Sequence, residues 1–235
     1  MFAARQLRFR LPAPRAHGGR RRGAGRKPTG ARAGVSHHGR PEVTATTPVH
    51  VTLRLLPHVW NLRSRRSLRV VEAALSAVRN RLTFRVVHFS LQGNHLHLLV
   101  EADGAAALSA GMQGLTIRLA KGLNRMMARR GRVFADRYHA HVLRTPAEVR
   151  HALAYVLLNH RSHRARAGER AGRGTVDPYS SGACFEGWRE AVARADAPGV
   201  TARPRTWLLA TGWRRRGLLS VDEVPAQSIA TVFTA

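Results

Sequence analysis

Lysine is almost missing from this 235-residue chain: of its 40 Lys+Arg, only Lys27 and Lys121 are lysines. The positive charge is therefore carried by guanidinium groups, which contact phosphates in pairs of hydrogen bonds and stack on bases. A high genomic GC content would also favour Arg over Lys. Acids are scarce too, 13 Asp+Glu, so the formal net charge is +27. That is more than solubility asks for, and it points to a polyanionic partner, nucleic acid first. The single cysteine, Cys184, excludes an internal disulfide framework and any cysteine-rich zinc site. A reducing cytoplasm is the expected setting, with association to the nucleoid. No apolar run approaches the ~18 residues that a spanning helix needs, so no membrane partner is expected. What is present is a 44% share of hydrophobic residues. At this length that allows one core-bearing domain with extensions.

Residues 1–48 hold Arg, Gly, Ala and Pro with no periodic apolar pattern and no acid before Glu42. Such a segment buries too little to offset its chain entropy, and reads as a disordered basic arm for a DNA backbone. It is Arg-rich like a transit peptide, but poor in Ser. From Val49 the pattern changes. Val49 to Leu55 alternates with period two and is rich in β-branched residues, as a strand does. Ser67 to Asn80 has helical spacing with Ser67 as its cap. Thr83–Ser90 and His95–Glu101 read as strands joined by a turn at Gln92-Gly-Asn94. Leu108, Met112, Leu115, Leu119 and Leu123 give one face of a helix over about Ala105 to Arg129, stopped by Gly131, and Val133 to Leu143 alternates again. Thr145-Pro-Ala-Glu148 has the form of a capping box opening a helix from Pro146 to about Ser162.

The order β-α-β-β-α-β-α predicts an α+β, ferredoxin-like fold: an antiparallel sheet with both crossover helices on one face, and an extra C-terminal helix outside that repeat. This core is expected over residues 49–164, with residues 165–235 as an extension in which Trp188, Trp207, Leu208, Leu209 and Trp213 pack over the sheet.

On the third strand His95 and His97 are two apart, so their rings leave one face and can share a cation, while Leu96 and Leu98 point to the core. His139 and His141 repeat that spacing on the fourth strand, and spacing alone does not choose between the pairs. The second pair is flanked by Arg137 and Arg144, which suits it to phosphate. On the final helix Tyr155 and Asn159 are four apart and share a side.

Asn94-His-Leu-His-Leu-Leu-Val100, Arg137-Tyr-His-Ala-His-Val-Leu143 and Tyr155-Val-Leu-Leu-Asn159 resemble, in order and on the expected elements, the motifs of single-tyrosine HUH transposases, and within them the REP-associated tyrosine transposases. The resemblance runs from about Pro48 to Arg164. It implies that His95 and His97 hold Mg²⁺ or Mn²⁺, that Asn159 is the third ligand, and that Tyr155 is the nucleophile. Relatives often carry Gln where this chain has Asn159, whose reach is shorter. The partner implied is single-stranded or hairpin DNA, contacted through Arg137, His139, His141, Arg144, Arg161 and Arg164. The implied reaction makes a 5′-phosphotyrosine with no nucleotide cofactor, by a monomer or a dimer. Two other readings compete: a non-catalytic hairpin-binding protein derived from a transposase, and a metal-dependent ribonuclease that uses water.

Overall fold

The computed structural model describes residues 42–166, 168, 172–192 and 200–225, so nearly all of the basic arm expected over residues 1–48 lies outside the described residues. The elements are β1 (Val49–Arg54), α1 (Arg65–Ser76), β2 (Phe84–Leu91), β3 (His95–Ala102), α2 (Ala105–Met126), β4 (His139–Val142), α3 (Pro146–Arg166) and the short α4 (Trp207–Ala210). The four strands form one sheet in the order β2-β3-β1-β4, every neighbouring pair antiparallel. The β2–β3 turn closes with the amide of Gln92 donating to the His95 carbonyl at 2.8 Å.

Period-two alternation divides the sheet. Val49, Val51 and Leu53 of β1 and Leu96, Leu98 and Val100 of β3 point to one face, where Val71, Leu75 and Val78 from α1 and its end and Leu108, Met112, Leu115, Leu119 and Leu123 of α2 cover them. On the other face Leu99 joins Val149, Ala152, Leu153, Val156 and Leu157 of α3, an i, i+3, i+4, i+7, i+8 stripe. Phe185, Trp188, Leu209 and Trp213 pack against the same helix, so α3 is sandwiched between the sheet and the segment that follows it. Trp207 departs from expectation. It is 50% exposed, with the Arg215 guanidinium 4.8 Å above its ring.

Three local expectations are corrected. The cap of α1 is Ser64, whose side chain accepts from the Ser67 amide, so the helix starts two residues earlier than Ser67. The helix stopped by Gly131 already ends at Met126, and Gly131 lies in the turn beyond it with φ of 97°. The fourth strand is shorter than the alternation of Val133 to Leu143. Between the pairs Leu55↔Phe134 and Thr52↔His139, β1 advances three residues and the facing chain five, so two residues bulge out of register. Asp136 accepts from the Arg137 amide at this bulge, in competition with the ladder. The α3 cap forms as a capping box should at Thr145, whose hydroxyl accepts from the Glu148 amide at 3.2 Å. The Glu148 carboxylate reaches back one residue further than usual, to the Arg144 amide.

Candidate functional site

Strand register brings the two histidine pairs together. Thr52 of β1 is opposite His97 on one side and His139 on the other, and His50 is opposite Leu99 and His141. His50, His95, His97, His139 and His141 therefore all leave the same side of the sheet, the side under α3. The two pairs that spacing could not separate belong to one surface, with β1 between them. Within it the rings of His95 and His97 stack at 6.2 Å and those of His50 and His97 at 5.4 Å.

Tyr155 of α3 completes the cluster. Its ring stands edge-on to His97 at 5.2 Å and to His50 at 5.7 Å. Asn159 lies one turn further along α3 and is buried, with Nδ2 lacking a hydrogen-bond partner. Three residues that sequence reading passed over frame His97. Thr52 Oγ1 is 3.2 Å from its Nδ1. On the other side Ser90 of β2 pairs with it in register, and the Gln92 amide donates to the Ser90 hydroxyl at 2.7 Å. His50 is the third, and it was visible as the outward residue of an alternating strand; its meaning depended on the pairing with β4.

Two imidazoles of the cluster, His50 and His141, are held toward the neutral form. Burial, then the neighbouring His97, His141 and His139, hold the His50 imidazole well below its ordinary pKa. His141 is lowered as well, chiefly by burial, with His139 and Arg144 adding to the effect and Glu148 opposing it. Among the described residues no group of three or more His, Cys, Asp or Glu is arranged to hold a metal ion. A set of two imidazoles and an amide contains only two such groups, so its donors fit a divalent ion that keeps further positions for oxygen ligands.

The residues expected at the DNA divide. Arg137, His139 and Arg144 are exposed near the cluster, and Arg164 is exposed on the last turns of α3. Arg161 is not at the surface. It is 6% exposed and donates to Asp222 Oδ1 at 2.8 Å and to the Gly172 carbonyl at 2.7 Å, which ties α3 to the C-terminal segment. Its neighbour His160 lies 3.8 Å from Asp177, which also takes two hydrogen bonds of 2.8 Å from Arg63. The polar run at the end of α3 is thus largely internal wiring.

No protein-family model matches the chain, and a search of curated proteins finds no match. Among solved structures the chain is similar to a REP-associated tyrosine transposase bound to a REP hairpin, at 15% identity and a TM-score of 0.45, over 62% of this chain and 82% of that one. Among the described residues no helix is long and apolar enough to cross a membrane.

Proposed function

We propose that the chain is a metal-assisted single-strand DNA endonuclease and strand-transferase, built on a ferredoxin-like sheet, with Tyr155 as its nucleophile. The observation that carries this reading is the Tyr155 ring set edge-on to His97 on the sheet face that also bears His95. A tyrosine on an amphipathic helix is ordinarily a packing residue. Here its neighbours are imidazoles, and Asn159 shares its side of the helix.

His95, His97 and Asn159 are the residues that would hold Mg²⁺ or Mn²⁺. When bound, the ion supplies charge to polarise the scissile phosphate. Thr52 orients His97: with Nδ1 turned to the Thr52 hydroxyl, Nε2 is the nitrogen directed away from β1. The Tyr155 oxygen forms a bond to phosphorus as the bond from phosphorus to the 3′ oxygen breaks. The phenol proton is given up, and the leaving oxygen takes a proton to become a 3′ hydroxyl. The new diester keeps the energy of the one it replaced, so the step runs in reverse onto another 3′ end without a nucleotide cofactor. Arg137, His139 and Arg144 border the cluster and supply phosphate contacts for the strand.

The test is a covalent protein–DNA adduct on denaturing gels. The wild type with Mn²⁺ and a hairpin with unpaired flanks should give the adduct, and Tyr155→Phe should give none while still binding the hairpin. An adduct that persists in Tyr155→Phe and vanishes in Tyr138→Phe would move the chemistry to another element. Cleavage without any adduct would favour water as the nucleophile.

A further inference from the structure

A pocket of about 420 Å³ opens at the opposite edge of the sheet from β4, lined by Arg79, Arg81, Arg85, Arg203 and Arg205. Its construction shows which of these charges are spent. Arg85 is the floor, 6% exposed. It donates to Glu101 at 3.2 Å and to the Leu82 carbonyl at 2.8 Å. Glu101 also accepts from the amides of Arg205 and Thr206 and from the Thr206 hydroxyl, so its carboxylate is fully engaged. The 202–205 stretch is fixed to the sheet edge through the Ala202 amide, which donates to the Val86 carbonyl at 2.8 Å. Arg81 leans on the Ala110 carbonyl at 3.4 Å. Arg79, Arg203 and Arg205 line the rim with no side-chain partner among the described residues, and no acid lines the pocket. Gathering like charges costs free energy that only an anion recovers.

We infer that this pocket grips the phosphodiester backbone of a nucleic-acid strand, as a contact separate from the histidine cluster. Planar guanidinium groups suit phosphate oxygens. No aromatic residue lines the pocket to stack a base, and Asn80 is its one neutral side chain able to read a base edge, so a strand would be held chiefly by its phosphates. Arg85 pairs with Glu101, four residues along β3 from His97 and on the same side of the sheet. That is about 14 Å at ~3.4 Å per residue, or roughly four base-pair steps along a duplex. A stem held at the Arg pocket therefore reaches the cluster with its unpaired flank. The inference rests on the nucleic-acid reading of the chain, not on the chemistry at Tyr155.

The experiment compares two double variants of equal charge in the Tyr155→Phe background, which separates binding from cleavage. One is Arg203→Gln with Arg205→Gln. The other is Arg65→Gln with Arg69→Gln, exposed positions in the first turns of α1, outside the pocket. Hairpin binding is followed by anisotropy over a range of salt concentrations. The pocket variant should flatten the slope of log affinity against log salt by about two, near 0.9 per lost phosphate contact, and weaken binding at least about tenfold at low salt. The α1 variant should do neither. Equal effects from the two variants would reduce the pocket to diffuse charge and overturn the inference. So would inorganic tripolyphosphate binding that is lost in the pocket variant while hairpin binding is untouched, since the pocket would then serve a free polyphosphate. A wild type that gives no covalent adduct leaves these slopes unchanged, so the two readings fail separately.

Discussion

The two faces of the same sheet are made of alternate residues in the same strands, and they are built for different ends. Under α1 and α2, β1 and β3 present Val49, Val51, Leu53, Leu96, Leu98 and Val100, all at most 1% exposed. Under α3 the interleaved positions include His50, Thr52, His95 and His97, and the Tyr155 ring meets two of these imidazoles. A period of two lets one strand serve packing and chemistry at once, because neither set of side chains needs the other's space. It also predicts that adjacent residues fail in different ways.

The sharpest break of the comparison is within β3. Leu96→Ala with Leu98→Ala removes two fully buried side chains. At about 2–5 kcal/mol each this consumes most of an ordinary domain's stability of ~5–15 kcal/mol. Thermal and urea unfolding should show a chain that is largely unfolded at 37 °C. His95→Ala with His97→Ala, one residue out of step, should keep a cooperative transition and hairpin binding while losing cleavage. A histidine pair that unfolds the protein as the leucine pair does would show that both faces are structural.

The α3 side also contains a region that behaves like core, where the C-terminal segment covers β2 and β3. Glu101 is 1% exposed and paired with Arg85, so Glu101→Gln leaves a buried guanidinium without its countercharge. A loss of about 3 kcal/mol is expected, read as a lower urea midpoint at unchanged slope. His88 is buried nearby with Nδ1 3.1 Å from the Ser181 hydroxyl, and burial lowers its pKa to about 4. The unfolded chain protonates this imidazole near its ordinary value of ~6.5, above the folded value, so the unfolded state binds more protons as pH falls. The neutral imidazole's contribution is intact above pH ~6.5 and is lost progressively between there and about 4. Near pH 5 the loss should be about 2 kcal/mol, and His88→Gln should remove most of that part of the acid sensitivity.

Much of this arrangement was legible in the sequence because it rests on local patterns. Alternation located β1 and β3, the Gln92-Gly-Asn94 turn located the hairpin, and Thr145 with Glu148 located the start of α3. What was not legible depends on partners distant in sequence. Nothing near His50 says that it stands beside His97 and His141; only the register of three strands does. Arg161 reads as one more basic residue until Asp222, far along the chain, is found against it. The β4 bulge hides inside an alternation that looks continuous because Tyr138, on the apolar side, keeps its packing. Ser64 and Ser67 are both sound caps by composition, and only the helix geometry selects Ser64.

The smallest expected effect is also the finest probe of the polar face. Thr52 is half-buried between His97 and His139, and its hydroxyl lies 3.2 Å from His97 Nδ1. Thr52→Val keeps the β-branched shape that a strand favours and removes that oxygen, so stability should change by less than about 1 kcal/mol. The His97 ring loses this hydroxyl contact, and outer groups of this kind are ordinarily worth ~10–100-fold in metal affinity or activity. A drop of about tenfold in cleavage rate is expected at saturating Mn²⁺, with a larger drop at limiting Mn²⁺ and hairpin affinity unchanged. Thr52→Ser restores the oxygen without the methyl group and should recover most of the rate at a small cost in stability. If Thr52→Val and Thr52→Ser lose activity alike, the methyl packing matters and the hydroxyl does not orient His97.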